Sequence, residues 1–164
     1  MRLIVMLLSL LVSTHVWAGE LSKPAGKVLL TLSGKIENTN EDGKAVFDIA
    51  SLEKLGTVTF QTTSPWYNGR TTFTGIPMQK LMEYVGAKGS VLKVTALNDY
   101  TTDIPLDDFR KYNAILALKV NGEYMRIRDK GPLFIVYPYD SLPELNNKIY
   151  YSRSAWQVSK MNIE

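Results

Sequence analysis

Residues 73–87 read "FTGIPMQKLMEYVGA". Met78, Leu81, Met82 and Val85 fall at i, i+3, i+4 and i+7, which places apolar side chains on one helical face. Pro77 suits a first turn, where its missing N–H costs nothing, and Gly86 suits the left-handed position just past a helix end. The spacing predicts a helix over 76–85.

Upstream, "TVTFQTT" (57–63) alternates with Val58 and Phe60 on one face, the pattern of a half-buried strand. "TTSPWYNGRTTFTGIP" (62–77) then reads as a loop leading into the helix. Downstream, "SVLKVTALNDYTTDIP" (90–105) reads as two strands joined at Asn98-Asp99. Pro105-Leu106-Asp107-Asp108 starts another short helix, with acids in the first turn, where the helix dipole favours them. Ala114 to Val120 is a dense apolar strand ending at Asn121-Gly122, a strong hairpin signal. In the returning strand Met125 and Ile127 face one side, and Tyr124, Arg126 and Arg128 face the other. "PLFIVYP" (132–138) and "SAWQVSKMNIE" (154–164) complete the strands. Towards the N-terminus, 26–36 reads as a strand, "ENTNEDGK" (37–44) as a turn, and 45–55 as holding a short helix capped by Asp48. Many strands with two or three short helices give an α+β domain with mainly antiparallel or mixed sheets.

Composition narrows the chemistry. Met1-Arg2, the apolar run Leu3 to Val12 and the Val16-Trp17-Ala18 site predict a signal peptide over 1–18, cleaved after Ala18, and so a periplasmic or otherwise secreted domain over 19–164. The apolar run is shorter than the roughly 20 residues a membrane span needs, so no span is expected after cleavage. The chain has no cysteine, and its only histidine, His15, lies in the segment expected to be removed. Disulfides, a lipid-anchoring cysteine, Cys/His zinc sites, Ser-His-Asp triads and Cys-His dyads are all excluded for the processed chain. Without Arg2, 18 basic residues stand against 16 acidic ones, interspersed rather than blocked. Nucleic acid is not an expected partner.

The pieces "FTGIPMQKLMEYVGA", "VTALNDYTTDIPLDDF", "AILALKVNGEYM", "KGPLFIVYP" and "SAWQVSKMNIE", in this order, resemble the sulfite-oxidase-type oxidoreductase molybdopterin-binding domain family. The resemblance implies that fold and, in the family, a cysteine upstream of the Thr-Gly-x-Pro turn that ligates molybdenum. Counting back from Gly75 puts that role at Thr63, whose hydroxyl does not replace a soft thiolate. The family's Pro-x-Arg pattern has Phe134 in place of its arginine, and the chain is short for burying so large a cofactor. The expectation is an exported, non-catalytic domain with no cofactor. It would bind a small anionic ligand, or a partner such as a membrane sensor or redox protein. The alternative is a divergent oxidoreductase that keeps a molybdenum cofactor.

The candidate ligand-binding residues are Thr63, Trp66, Tyr67, Arg70, Asp99, Tyr100, Arg126 and Arg128. Trp66, Tyr67 and Arg70 stand where the family has its metal pocket, either lining a ligand site or sealing the core with Trp66. Arg126 and Arg128 form either an anion clamp or an ordinary wet strand face. Asp99 and Tyr100 belong to a pocket rim or simply to a turn. Tyr137, Tyr139, Tyr150 and Tyr151 are an exposed binding face or packing. Glu83, Asp107, Asp108 and Asp140 show no spacing that pairs two carboxylates.

Overall fold

The computed structural model describes residues 21–164. These form ten strands, four short α-helices and two single 3-10 turns. One sheet carries β1 (Leu30–Gly34), β2 (Ala45–Phe47), β5 (Val91–Ala96), β6 (Thr101–Pro105) and β10 (Val158–Ile163), in the order β2-β1-β10-β5-β6. Only β1 and β10 run parallel; the other pairs are antiparallel. The second sheet holds β3 (Val58–Ser64), β4 (Tyr67–Pro77), β7 (Ile115–Val120), β8 (Glu123–Tyr124) and β9 (Phe134–Val136). β4 covers one edge of β7, and the other edge is shared by β9 at Ile115–Ala117 and β8 at Lys119–Val120. The expected α+β class with mixed sheets is what the chain adopts.

Each element follows from its residues. In α1 (Ile49–Glu53) Asp48 caps reciprocally: its carboxylate accepts the Ser51 N–H at 2.8 Å, and its own N–H donates to the Ser51 hydroxyl at 2.9 Å. With the Gly26 N–H also donating, these hydrogen bonds, led by those from Ser51, hold the carboxyl down at about 2. α2 (Met78–Tyr84) buries Met78, Leu81 and Met82, and Gly86 follows it at φ +63°, as its place past the helix end requires. α3 (Asp107–Tyr112) starts on its two acids. Asn121 and Gly122 both take positive φ, the backbone of a two-residue hairpin turn. Gly75 lies at a register shift between β4 and β7, and a side chain there would meet the Leu116 carbonyl at 2.1 Å. Only glycine permits that approach.

Three expectations are corrected. The stretch 62–77 is not a loop: it is the end of β3, a turn at Pro65-Trp66, and the whole of β4. The returning strand stops at Tyr124, because the chain folds into a 3-10 turn over Ile127–Asp129, with the Asp129 and Gly131 N–H groups both donating to the Arg126 carbonyl. Ile127 is therefore exposed while Met125 is buried, and Arg126 and Arg128 share no strand face with Tyr124. A fourth helix, α4 (Lys148–Arg153), also exceeds the two or three expected. In addition, Val58 at the outer end of β3 is exposed, so that face is buried only from Phe60 onward.

The core lies between the sheets and the helices that cover them, with Leu30, Leu32, Phe73, Leu81, Leu92, Leu116 and Phe134 fully buried. Burying a side chain of this size stabilises the fold by roughly 1.5–3 kcal/mol before entropy is counted. The sheets meet where the chain between α4 and β10 bonds to β9. There the Ile135 N–H donates to the Ala155 carbonyl, and Val158 N–H to that of Leu133. This corner gathers the β3–β4 turn, the β5–β6 turn and residues 151–156.

Candidate functional site

A cavity of about 340 Å³ opens where these three segments converge. Trp66, at the tip of the β3–β4 hairpin, packs edge-on against Phe134, with ring centroids 5.3 Å apart. It also meets Trp156 at 5.7 Å and 68° and Tyr151 at 5.8 Å and 78°. Such edge-to-face pairs are favoured by the ring quadrupoles. Across the cavity stands Tyr100, placed by the β5–β6 turn: Asp99 sits at φ +63°, and the Asn98 side-chain carbonyl accepts the Tyr100 N–H at 3.2 Å. The Tyr100 hydroxyl donates to the Ser152 carbonyl at 3.1 Å, bridging two of the three segments. The Tyr151 hydroxyl is held by the Asn146 side chain. Trp66 is partly buried, whereas Tyr100 and Trp156 are 47% and 37% exposed.

A second arrangement centres on Asp140. Its carboxylate accepts the Thr63 N–H at 2.9 Å and the Thr63 hydroxyl at 2.5 Å, and Arg70 Nε lies 3.6 Å away. The Asp140 N–H in turn donates to the buried Thr62 hydroxyl at 3.0 Å. The Thr63 hydroxyl above all, then its N–H and Arg70, hold the Asp140 carboxyl below its ordinary range against a smaller opposing cost of burial. One buried side-chain polar atom among the described residues lacks a partner, the Ser64 hydroxyl beside this cluster.

The other predicted residues lie elsewhere. Tyr67 packs on Phe73 and carries the Lys130 ammonium 5.1 Å above its ring. Burial, with Asp129 nearby, raises the Tyr67 hydroxyl above its usual range. Tyr67 and Arg126 line a shallow concavity with Tyr124 and Met125. Arg126 and Arg128 place their Nε atoms 3.0 and 3.6 Å from one carboxylate oxygen of Asp129. Tyr137 and Tyr139 are buried and Tyr150 and Tyr151 half-buried, so the tyrosine quartet is largely packing. Of the eight candidate residues, the fold brings Trp66 and Tyr100 into one cavity with Asp99 at its rim. Thr63 and Arg70 meet on Asp140.

Sequence reading did not place Asn98 or Trp156 in a site, offered Tyr151 only as part of a tyrosine face apart from Trp66, and did not see that Asp140 would bind Thr63. The paired tyrosines at 150–151 and the isolated Trp156 were the available signals for the cavity. For Asp140 there was none, since its partner lies 77 positions away. Among the described residues no cluster of three metal-ligating side chains occurs, and no helix is long and apolar enough to cross a membrane.

No curated protein matches the chain significantly. A family profile described as "oxidoreductase molybdopterin binding domain" matches residues 44–140. That span holds Thr63, Trp66, the β5–β6 turn and Asp140, and ends before Tyr151 and Trp156. With the matched segment covering more than half of the chain, and the α+β architecture agreeing, the protein belongs to the oxidoreductase molybdopterin-binding domain family.

Proposed function

We propose that this protein is an exported binding member of its family that does no molybdenum redox chemistry. The observation that carries the reading is the state of Thr63. Its hydroxyl and N–H are both committed to the Asp140 carboxylate, at the position where the resemblance puts the metal ligand. The donors there are hydroxyl and carboxylate oxygens, and the only sulfur in the sequence is methionine thioether. Such oxygens do not fit a metal held by a soft, deprotonated thiolate. The cations fit a pterin phosphate no better, because Arg70 faces Asp140 and Arg126 and Arg128 face Asp129. An anionic ligand would have to displace those carboxylates. The aromatic cavity needs no such exchange, which supports it as the ligand site, and in this reading a membrane-anchored sensor or redox protein senses its occupancy.

Protein purified from its native compartment is expected to carry neither stoichiometric molybdenum nor pterin, by metal analysis and by pterin fluorescence after oxidation. Stoichiometric amounts of either overturn the reading. They would establish the second one, a divergent molybdenum oxidoreductase, which the family match over 44–140 favours. Export rests on the N-terminal segment 1–18, which lies outside the described residues. Sequencing the N-terminus of the exported protein tests it, with Gly19 expected first.

A further inference from the structure

The geometry points to a small organic cation, of the quaternary or methylated ammonium class, as the ligand of the cavity walled by Trp66, Tyr100, Tyr151 and Trp156. The inference rests on the ligand-binding reading above and adds the chemistry of the ligand.

Three observations carry it. The first is what the walls offer. Both phenol hydroxyls are already spent on the protein, Tyr100 on the Ser152 carbonyl and Tyr151 on Asn146. The rings are thereby fixed, and what they offer a ligand is aromatic surface rather than a free hydroxyl. The second is their orientation. Tyr151 and Trp156 each stand steeply to Trp66, at 78° and 68°. A flat ring is best gripped between parallel faces. Rings set at steep angles offer no such slot and suit a compact, rounded ligand, for which aromatic walls favour a cation.

The third is charge. No charged side chain lines the cavity. In the three segments that form it (65–67, 96–100 and 151–156) the only charged residues are Asp99 and Arg153. Arg153 is neutralised by Asp108, with Nη1 at 2.8 Å from the carboxylate. Asp99, between the lining residues Asn98 and Tyr100, is exposed and makes no ion pair among the described residues. Asp99 is thus the one charged residue of these three segments that is not paired among the described residues, and a negative charge beside the cavity attracts a cation and repels an anion. The volume of about 340 Å³ accommodates a trimethylammonium group together with a short tail.

The test is calorimetric titration of the intact processed protein with choline. The controls are 3,3-dimethylbutan-1-ol, its uncharged isostere, and methanesulfonate. Choline is expected to bind with one-to-one stoichiometry, and the isostere about tenfold or more weaker. Trp156→Ala is expected to weaken choline by about tenfold. Because that change removes packing against Trp66, a second variant keeps the fold: Asp99→Asn tolerates the same left-handed turn and removes only the charge. It is expected to weaken choline roughly threefold at low salt and leave the isostere unchanged. Equal affinity for choline and the isostere, binding of the sulfonate alone, or no binding of choline overturns the inference. None of these results brings molybdenum to the protein, so the wider reading falls only on the metal and pterin analysis.

Discussion

Asp140 joins residues that the sequence keeps far apart: the hydroxyl and N–H of Thr63, the guanidinium of Arg70 and, through its own N–H, Thr62. Hydrogen bonds to a carboxylate are about twice as strong as neutral ones, so this residue pins the free end of the β3–β4 hairpin. Asp140→Asn keeps one acceptor and removes the charge, and is expected to cost about 1–2 kcal/mol in urea unfolding at neutral pH. Its pH dependence has a definite sign. The folded carboxyl is depressed below its unfolded value, so its stabilisation is complete above about pH 4 and fades as the pH falls through the lower folded value. Wild type and Asp140→Asn should therefore differ most at neutral pH and converge in acid. Unfolding midpoints that differ equally at both ends would show that Asp140 acts by shape alone. None of this was visible beforehand: Asp140 read as one of several scattered carboxylates, because nothing local marks a residue whose partners come from another strand.

Between elements, Asp108 does the comparable work. From α3 it accepts the buried Tyr137 hydroxyl at 2.9 Å, just beyond β9, and pairs with Arg153 at the end of α4. Burial above all, then the Asp108 carboxylate, pushes the Tyr137 hydroxyl far above its ordinary range, so it stays a donor. Asp108→Ala leaves a buried phenol without an acceptor and a mostly buried arginine without an anion. A loss of about 3–5 kcal/mol is expected in chemical denaturation. Tyr137→Phe, which removes one hydrogen bond and little shape, should cost only about 1 kcal/mol. Element by element, legibility followed local signal. α2 was plain because its apolar positions repeat at helical spacing, and α3 because acids open it. α4 was missed because its apolar residues do not form a buried stripe, and Ile149 is 57% exposed. The run after Asn121-Gly122 imitated a strand by alternation, but the turn closing on the Arg126 carbonyl carries the chain away after two residues.

At the scale of the whole molecule, the last strand is the keystone of the first sheet. β10 lies between β5 and β1, and it is parallel to β1 although the two come from opposite ends of the domain. It buries Val158, Met161 and Ile163. Ending the chain at Gln157 would leave β1 and β5 with unpaired edges and uncover the core. The truncated protein is expected not to fold, giving collapsed amide dispersion in NMR spectra; a dispersed spectrum would refute that placement. Reading the sequence alone determined the α+β class, most of the strands and the absence of cysteine. These are properties of composition and of periodicity along one element, where each residue's neighbours are set by its own backbone. Only the tertiary structure decided that Trp66, Tyr100, Tyr151 and Trp156 wall one cavity, that Thr63 and Arg70 belong to Asp140, and that Arg126 and Arg128 face Asp129. Those partnerships depend on how strands order and turns converge, and no local pattern encodes the distance between two turns.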